Sequence, residues 1–395
     1  MTPEPSRIDH LECSACGATA PFRQLQRLCA CGAPWLVRYR LGPDVPRPPH
    51  AGPGGMWRYA GLLPHLGEIV TLGEGQTPVL AAPRLGAAIG VPKMFVKDES
   101  RNPTTSFKAR GIAAAVTMAK ALGARRLAIP TAGNAGGALA AYGARAGLEV
   151  DVFMPADTPE PFALEAEQHG ARVHRVRGLI NDCGAEVAKG LADGRWFDLS
   201  TLKEPYRIEG KKTMGYEIAE QFPEQLPNVI LYPTGGGTGL VGIAKAFEEL
   251  SALGWHCGPR PRLVTVQVAG CAPIVRAFQE GAERARPWEH ATTMAYGLRV
   301  PAAVGDRLML RAVRESGGTG IAVGELEMLA GMQALGTREG IPCGPETGAL
   351  VAAAASLAKS GWITPEETVL MISTGSGHKY PDSQAAAKQA APLVG

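Results

Sequence analysis

Residues 228–250 read NVILYPTGGGTGLVGIAKAFEEL, and this stretch decides the fold class. An apolar run ends at three consecutive glycines, after which the sequence takes on a helical pattern. A strand, a glycine turn and a helix in this order are typical of an α/β unit. Bare glycines let backbone N–H groups approach an anion, and the helix that follows adds its dipole. The stretch therefore predicts either a phosphate-binding loop or a plain strand-to-helix turn, and it lacks the spacing of a P-loop or a dinucleotide fingerprint.

The same alternation recurs along the chain. Six further apolar runs, each followed by Gly or Pro and then by helix-like sequence, predict buried strands: KMFVK (93–97), RRLAIP (125–130), EVDVFMP (149–155), ARVHRV (171–176), PRLVTVQV (261–268) and TVLMIST (368–374). Apolar strands that alternate with alanine-rich helices predict parallel sheets covered by helices, an α/β architecture. Seven or more strands can form one doubly wound sheet or two smaller sheets, and the pattern does not choose between them.

Composition excludes several classes of protein. Among 395 residues, 40 Lys and Arg stand against 37 Asp and Glu, and no block of like charge indicates a nucleic-acid partner. The N-terminus lacks the pattern of a signal peptide, and the apolar stretches are interrupted before they reach the length of a membrane span. We therefore expect a cytoplasmic protein without nucleic-acid or membrane partners. A homodimer is expected because most soluble oligomers are two-fold.

Half of the eight cysteines lie close to the N-terminus, at Cys13, Cys16, Cys29 and Cys31. They form a C-x₂-C pair and a C-x-C pair, and a glycine follows each pair. Two such pairs resemble the knuckles of a tetrahedral Cys₄ zinc site, which would be structural. The alternative is a degenerate knuckle that has lost its metal and packs its thiols as small hydrophobes. The Pro/Gly-rich stretch GPDVPRPPHAGPGG (42–55) predicts a connector and a domain boundary after this unit.

Polar loops follow the predicted strands at the places where parallel sheets bind ligands, beyond the carboxyl ends of strands. Four stand out: NPTTSFK (102–108), TAGNAGG (131–137), TGGGTG (234–239) and STGSGHK (373–379). A lysine such as Lys108 is usually a solvated surface residue, but in a shielded cleft its amine can form a Schiff base with a carbonyl cofactor. Asn134 and Thr374 are, by themselves, equally compatible with turn residues.

Together and in this order, the four loops resemble the pyridoxal-phosphate enzymes of the tryptophan synthase β type, fold type II. The motifs are S-F-K-x-R-G at 106–111, T-x-G-N at 131–134, G-G-G-T-G at 235–239 and S-T-G-S-G at 373–377. Within this class the chain is most similar to the threonine synthases, through GEGQTP (73–78), KDE (97–99), NPT (102–104), RIEGKKT (207–213) and Pro345-Glu346. The Cys-rich start is also similar to that of many threonine synthases.

The resemblance implies two parallel-sheet α/β domains preceded by a small Cys-rich knuckle. The knuckle would occupy residues 1–41. The large, pyridoxal-phosphate-binding domain would be formed by 42–107 and 204–395, with a small domain inserted at 108–203.

The resemblance also implies how the cofactor is held. Lys108 would carry pyridoxal 5'-phosphate as a Schiff base and act as the general acid and base on the substrate. Asn134 would hydrogen-bond the phenolic oxygen of the cofactor ring, and the hydroxyl of Thr374 would meet the pyridine nitrogen. One loop would cradle the cofactor phosphate, namely Gly235, Gly236, Gly237, Thr238 and Gly239.

Two further groups of residues are implied on the substrate side. The substrate carboxylate would bind at Thr131, Ala132 and Ala135. A substrate phosphate would bind at Ser200, Thr201 and Arg207, because the planar guanidinium grips a phosphate with two donors.

The implied reaction converts O-phospho-L-homoserine and water to L-threonine and phosphate. The chain departs from the usual family wording at three places: Ala109 after the lysine, the GGGTG loop, and Lys211 in the motif around Arg207. A small residue after the lysine and a triple-glycine loop also occur in serine and threonine dehydratases. The alternative is therefore such a dehydratase or a related β-eliminating lyase, which needs no second phosphate site. A non-catalytic metabolite-binding module or a zinc-dependent nucleic-acid module would leave Lys108 unexplained.

Overall fold

The computed structural model describes residues 3–48 and 54–393. The strands are β1 (Ile8–Cys13), β2 (Thr19–Ala20), β3 (Trp35–Tyr39), β4 (Val79–Ala81), β5 (Met94–Asp98), β6 (Arg126–Pro130), β7 (Glu149–Pro155), β8 (Arg172–Val176), β9 (Phe197–Asp198), β10 (Val229–Pro233), β11 (Arg262–Val268), β12 (Thr319–Val323) and β13 (Val369–Ser373).

The helices alternate with these strands. They are α1 (Pro83–Ile89), α2 (Lys108–Ala121), α3 (Asn134–Ala146), α4 (Glu160–Gln168), α5 (Ile180–Ala192), α6 (Arg207–Gln221), α7 (Thr238–Ala252), α8 (Pro273–Gln279), α9 (Asp306–Glu315), α10 (Glu325–Glu339), α11 (Pro345–Lys359) and α12 (Pro381–Ala387). Short 3₁₀ helices cover Gly55–Leu62, Glu99–Arg101, Pro103–Thr105, Tyr296–Leu298 and Gly377–Lys379. Within the two described ranges, no helix has both the length and the apolar character that a membrane crossing requires.

The chain divides into two compact units. The first comprises residues 1–76, 102–220 and 241–257, and the second comprises 77–101, 221–240 and 258–395, in each case as far as the residues are described. The domain boundaries that the sequence suggests, at 41, 107 and 203, remain a prediction.

The first unit contains two sheets. A three-stranded antiparallel sheet of order β2-β1-β3 is built from the N-terminal residues. A four-stranded parallel sheet has the order β8-β7-β6-β9. On this sheet α5 packs Cys183 and Val187 against Ala128, Phe153 and Trp196, which form a small apolar cluster.

The second unit contains one six-stranded sheet of order β12-β11-β10-β13-β5-β4. All neighbouring strands are parallel except β4, which is antiparallel to β5 at the edge. The central strands β10 and β13 are buried along their whole length, as strands covered on both faces must be, and their Val, Ile and Leu side chains suit that burial. Side chains of α1, α10 and α11 complete this core.

The structure confirms the expected fold class. Each of the seven apolar runs forms a strand, and the parallel strands form two sheets rather than one. The short strands β4, β9 and β12 and the N-terminal strands were not expected from the sequence. The connector predicted at 42–55 contains no helix or strand over 42–48, residues 49–53 lie outside the described part, and Gly55 already begins a 3₁₀ helix.

Helix α6 shows where hydropathy misleads. Its sequence, RIEGKKTMGYEIAEQ, is rich in charge, yet residues 207–219 are all buried. Arg207, Glu209, Lys211 and Lys212 are each at most 1% exposed. Charged residues are almost never fully buried unless they are paired, so this helix indicates a polar network inside the first unit.

Candidate active site

Lys108 is the first residue of α2 and follows a loop with unusual backbone angles. Thr104 and Thr105 have φ values of 58° and 48°, in the left-handed region that β-branched residues rarely adopt. The 3₁₀ turn that contains them packs against α3. Lys108 is partly buried, and its Nζ lies 4.1 Å from the ring centroid of Phe107. Strained backbone of this kind persists only where the surroundings hold it, and it concentrates at functional sites.

The helix that begins with Lys108 crosses the helix that begins with Arg207 at very close range. A Cβ atom on Gly111 would lie 2.7 Å from the carbonyl oxygen of Arg207, and one on Gly210 would collide with the carbonyl of Arg110. Both crossing positions therefore require glycine. Arg110 is fully buried and donates to both carboxylate oxygens of Glu217 at 2.7 Å, which ties α2 to α6.

The loop after β6 places the expected carboxylate-binding residues at the start of α3. The hydroxyl of Thr131 accepts a hydrogen bond from the N–H of Gly133 at 3.1 Å and donates to the carbonyl of Gly133 at 3.0 Å. Asn134 is the first residue of α3, and Ala132 and Ala135 are buried beside it. Backbone N–H groups at a helix start favour an anion such as a carboxylate.

Arg207 and Thr201 are brought together, whereas Ser200 points elsewhere. Nη1 of Arg207 donates to the carbonyl of Leu199 at 2.8 Å and to Oγ1 of Thr201 at 3.3 Å. The hydroxyl of Ser200 donates to the carboxylate of Asp198. Among the described residues, Nε of Arg207 is buried without a hydrogen-bond partner. The guanidinium therefore keeps a donor available in a site that is closed to bulk solvent.

The carboxylate of Glu204 binds backbone N–H groups at the end of the loop before α6. Its carboxylate accepts the backbone N–H of Tyr206 at 2.8 Å and that of Arg207 at 3.0 Å. Burial raises the pKa of Glu204 to about 7, although the charge of Arg207 and the two N–H groups act in the opposite direction. Leu202, in the same loop, has a φ of 62°.

In the second unit, the GGGTG loop joins β10 to α7 and is formed by glycines that have no room for a side chain. A Cβ on Gly235 would collide with the carbonyl oxygen of Gly297, and one on Gly239 with the hydroxyl of Tyr232. Gly237 has a φ of 74°, and a Cβ there would collide with Met309. Bare N–H groups at the start of a helix form a cradle for an anion, so these residues fit a phosphate group.

Thr374 lies at the same sheet edge as this loop. Strands β10 and β13 are parallel neighbours, with Val229 opposite Val369, so their carboxyl ends lie side by side. Thr374 directly follows β13 and is 7% exposed. Glu346, from the Pro-Glu pair, accepts the N–H of Gly297 and the hydroxyl of Tyr380, both at 3.0 Å, which fixes the segment that packs on Gly235.

The four N-terminal cysteines converge in the first unit. Their sulfur atoms all lie within 4.8 Å of one another, with Cys13 and Cys31 at 3.4 Å and Cys16 and Cys29 at 3.7 Å. Four sulfurs bound tetrahedrally to zinc at about 2.3 Å would lie about 3.8 Å apart. Gly17 and Gly32 have φ values of 71° and 83°, as the turns after the two pairs require.

The environment of Cys13 favours a thiolate. Burial raises the pKa of its thiol, but N–H groups of Cys16 and Ala15, with neighbouring thiols, outweigh burial and bring the pKa to about 6. The donor set fits a metal that prefers sulfur ligands.

Several motifs that stand out in the sequence make contacts that the sequence did not predict. Glu74 of GEGQTP is fully buried and accepts Nε1 of Trp57 at 2.6 Å and the hydroxyl of Tyr142 at 2.5 Å. Asn102 of NPT accepts the N–H of Gly75 at 2.9 Å, so these two motifs meet in space. Glu204 and Tyr206 had no signal of their own beyond their position before Arg207.

Comparison with known proteins shows the family of the chain. Residues 70–375 match the family model described as pyridoxal-phosphate dependent enzyme. The threonine synthase of Methanosarcina acetivorans is 37% identical over 379 residues, which cover 95% of this chain and 93% of that protein. The threonine synthase of Methanocaldococcus jannaschii is 32% identical, over 94% of this chain and 93% of that protein.

Solved structures agree on the fold. Diaminopropionate ammonia lyase from Escherichia coli superposes with a TM-score of 0.68 over 81% of this chain and 90% of that one, at 20% identity. The chain therefore belongs to the pyridoxal-phosphate dependent enzymes of fold type II and, among them, to the threonine synthase family.

Proposed function

We propose that the protein is a pyridoxal-phosphate-dependent threonine synthase, which converts O-phospho-L-homoserine and water to L-threonine and phosphate. The observation that carries the proposal is 37% identity to a threonine synthase over nearly the whole length of both chains. The buried arginine that begins α6 supports it, because a phosphorylated substrate needs an anion site that is separate from the cofactor phosphate site.

Four parts of the chain would hold the cofactor. The Nζ of Lys108 would form the covalent link, Asn134 would donate to the ring oxygen, and the GGGTG loop would bind the phosphate through its N–H groups. Thr374 would place a hydroxyl at the ring nitrogen. When bound, pyridoxal phosphate supplies an electron sink for negative charge that develops on the substrate carbon next to the amine.

The amine of Lys108 is the group of this chain that would move protons at the bound substrate. We assign it removal of the protons at Cα and Cβ, which accompanies departure of phosphate from Cγ, then return of one proton to Cγ before water adds at Cβ and of one proton to Cα afterwards. Thr131, Ala132 and Ala135 would hold the substrate carboxylate at the start of α3, where the helix dipole favours it. A fixed carboxylate orients Cα toward the lysine.

Arg207 and Thr201 would bind the substrate phosphate. The hydroxyl of Ser200 would join them only by leaving Asp198, to which it donates. The guanidinium is buried, so its contact with a bound phosphate would be shielded from water and correspondingly strong. Burial lowers the pKa of Arg207, while Glu204 and Asp198 oppose that effect. The negative charge on these two side chains partly offsets the cost of burying the arginine.

Three further assignments belong to the proposal. Cys13, Cys16, Cys29 and Cys31 would bind one structural zinc ion. The protein would act in the cytoplasm on a small amino-acid substrate. It would assemble as a homodimer, the commonest symmetric oligomer.

A side-by-side assay tests the reaction. Purified holoenzyme is given O-phospho-L-homoserine, with phosphate and threonine measured, and separately L-serine or L-threonine, with oxo acid measured. We expect phosphate and threonine in equal amounts and little oxo acid. Arg207→Ala should raise KM for the phosphorylated substrate about 10- to 100-fold by loss of a charge-assisted contact, whereas Arg177→Ala, at an exposed position, should not. Efficient oxo-acid formation with no threonine would overturn the proposal in favour of a dehydratase.

A further inference from the structure

We infer that the N-terminal cysteine unit forms part of the substrate-binding apparatus, because it holds the first turn of α6 and thereby positions Arg207. The inference rests on the proposed role of Arg207 in binding the substrate phosphate. This unit is defined as residues 3–41. Its Phe22 contacts Tyr206 directly before α6, its Tyr39 contacts Lys212 on α6, and its Val37 contacts Lys245 on α7.

The first contact is a hydrogen bond to the residue before the arginine. The hydroxyl of Tyr206 donates to the carbonyl oxygen of Phe22 at 2.7 Å, and Tyr206 is 2% exposed. The other end of the same residue is fixed by Glu204, which accepts its N–H. Tyr206 is thus held at its backbone by its own loop and at its hydroxyl by the cysteine unit. Because Tyr206 is fixed at these two points, the position of the next residue, Arg207, is fixed as well.

The second contact is a buried charge network that depends on strand β3. Nζ of Lys245 donates to the carbonyl of Val37 at 2.6 Å and also binds Glu209, one turn inside α6. Nζ of Lys212 lies 2.8 Å from Glu209 and 3.7 Å from the ring centroid of Tyr39. All three charged residues are at most 6% exposed.

The charge network is complete only when the cysteine unit is in place. Burying an ammonium group costs free energy unless it has partners. Strand β3 supplies one partner to Lys245, the carbonyl of Val37, and one to Lys212, the ring of Tyr39. Glu249 adds a second carboxylate, 2.9 Å from Lys212, so two cations meet two anions and the network is balanced in charge. Moving β3 away would leave Lys245 without its carbonyl and would loosen Glu209 at the start of α6.

The cysteine cluster controls both contacts. Phe22 lies in the loop between the two cysteine pairs, and Cys13, at the end of β1, pairs with Trp35, the first residue of β3. A metal ion bound by the four thiolates would close the loop that carries Phe22 and anchor β3 at the same time. Loss of the metal should therefore weaken binding of the substrate phosphate, through Tyr206 as a positioning residue, and leave cofactor binding largely intact.

The decisive variant is Tyr206→Phe, which removes one hydroxyl and keeps the ring. Its matched control is Tyr59→Phe, since Tyr59 is, like Tyr206, a buried tyrosine of the first compact unit, and it donates to Glu220 at 2.7 Å. In Tyr206→Phe holoenzyme we expect KM for O-phospho-L-homoserine to rise about three- to tenfold, the scale of one lost hydrogen bond, with kcat changed less than twofold. Calorimetric affinity for inorganic phosphate should fall by a similar factor, while the cofactor absorbance spectrum stays unchanged.

A double variant tests the link to the cluster. Cys29→Ser, or treatment of the wild-type protein with a strong chelator, should weaken phosphate binding in the same way, and Cys29→Ser with Tyr206→Phe should be less harmful than the sum of the two. If Cys29→Ser does not fold, the chelator-treated protein takes its place.

Two outcomes separate the inference from the proposed function. If Tyr206→Phe binds phosphate and substrate as Tyr59→Phe does, the cysteine unit does not position Arg207 and the inference is wrong, while the proposed function stands. If Arg207→Ala itself leaves KM for the phosphorylated substrate unchanged, the phosphate site lies elsewhere and the proposed role of Arg207 is wrong.

Discussion

Nζ of Lys211 lies 3.6 Å from the ring centroid of Phe107, the residue directly before Lys108. The amine of Lys108 lies 4.1 Å from the same ring, so two lysines share one aromatic side chain. The stem of Lys211 runs over Gly111, where a Cβ would lie 2.7 Å from its Cε. Lys211 is one of the places where the chain departs from family wording, and the structure places it beside the residue expected to carry the cofactor.

We predict that Lys211 tunes the reactivity of Lys108. A second positive charge nearby disfavours the protonated amine, which is the unreactive form. In Lys211→Gln apoprotein, the pH at which incorporation of pyridoxal phosphate is half-maximal should therefore rise. Incorporation is followed by borohydride trapping, with Lys120→Gln on the same helix as control. An unchanged midpoint would limit Lys211 to packing.

Lys108→Ala should abolish both turnover and the borohydride-reducible link to the cofactor. The reason is chemical, because alanine has no amine to form the link or to move protons. The measurement is absorbance of the bound cofactor together with mass spectrometry after reduction. Lys120→Ala, which removes a partly exposed lysine that pairs with Glu68, should keep both. A reducible adduct in active Lys108→Ala would mean that another lysine carries the cofactor.

Gly235→Ala should weaken cofactor retention far more than Thr238→Ala. A methyl group at 235 collides with the backbone of Gly297, so the loop must move and its N–H groups no longer point at the phosphate. Thr238→Ala, by contrast, leaves the backbone in place. Dissociation constants for pyridoxal phosphate can be measured by fluorescence titration. Gly336→Ala is the control, because a Cβ there meets nothing within 4 Å. Equal affinity in Gly235→Ala and Gly336→Ala would place the phosphate elsewhere.

Metal analysis should find about one zinc ion per chain, bound by the four N-terminal cysteines. Cys29→Ser should lower the thermal midpoint by several degrees, because a segment with little core of its own depends on the metal to fold. The cofactor spectrum should not change. Cys257→Ser, at an exposed cysteine outside the cluster, is the control. Full stability of metal-free protein in a strong chelator would contradict this prediction.

Ionisation of Glu204 should make the free energy of unfolding fall as pH rises. Burial raises its native pKa from an ordinary 4.5 to about 7, so the native state retains a proton that the unfolded chain has lost. The associated stability is complete below about pH 4.5 and is lost as pH rises through 7, a change of roughly 3 kcal/mol. Glu204→Gln should remove this part of the slope in urea unfolding between pH 5.5 and 8. An identical slope in both proteins would show that another group titrates.

Local sequence patterns were enough to predict the main strands and turns and to find the motifs in their order. Short apolar runs such as NVILYPT and TVLMIST, followed by glycine, favour buried strands, and the glycines after them predict turns. The family was reached through a resemblance, because S-F-K-x-R-G, T-x-G-N and G-G-G-T-G occur in the same order as in the pyridoxal-phosphate enzymes of fold type II. Cysteine spacing likewise predicted the cluster that the structure brings within 4.8 Å.

Only the tertiary structure decided which charged residues are buried and what they contact. Hydropathy places Glu209, Lys212 and Lys245 at the surface, yet they are buried because opposite charges from α6 and α7 meet there. The bond from Tyr206 to Phe22 joins residues 184 positions apart, and no local pattern predicts such a pairing. Strand and turn propensities act over a few residues, whereas burial of charge depends on partners that only the folded chain brings together.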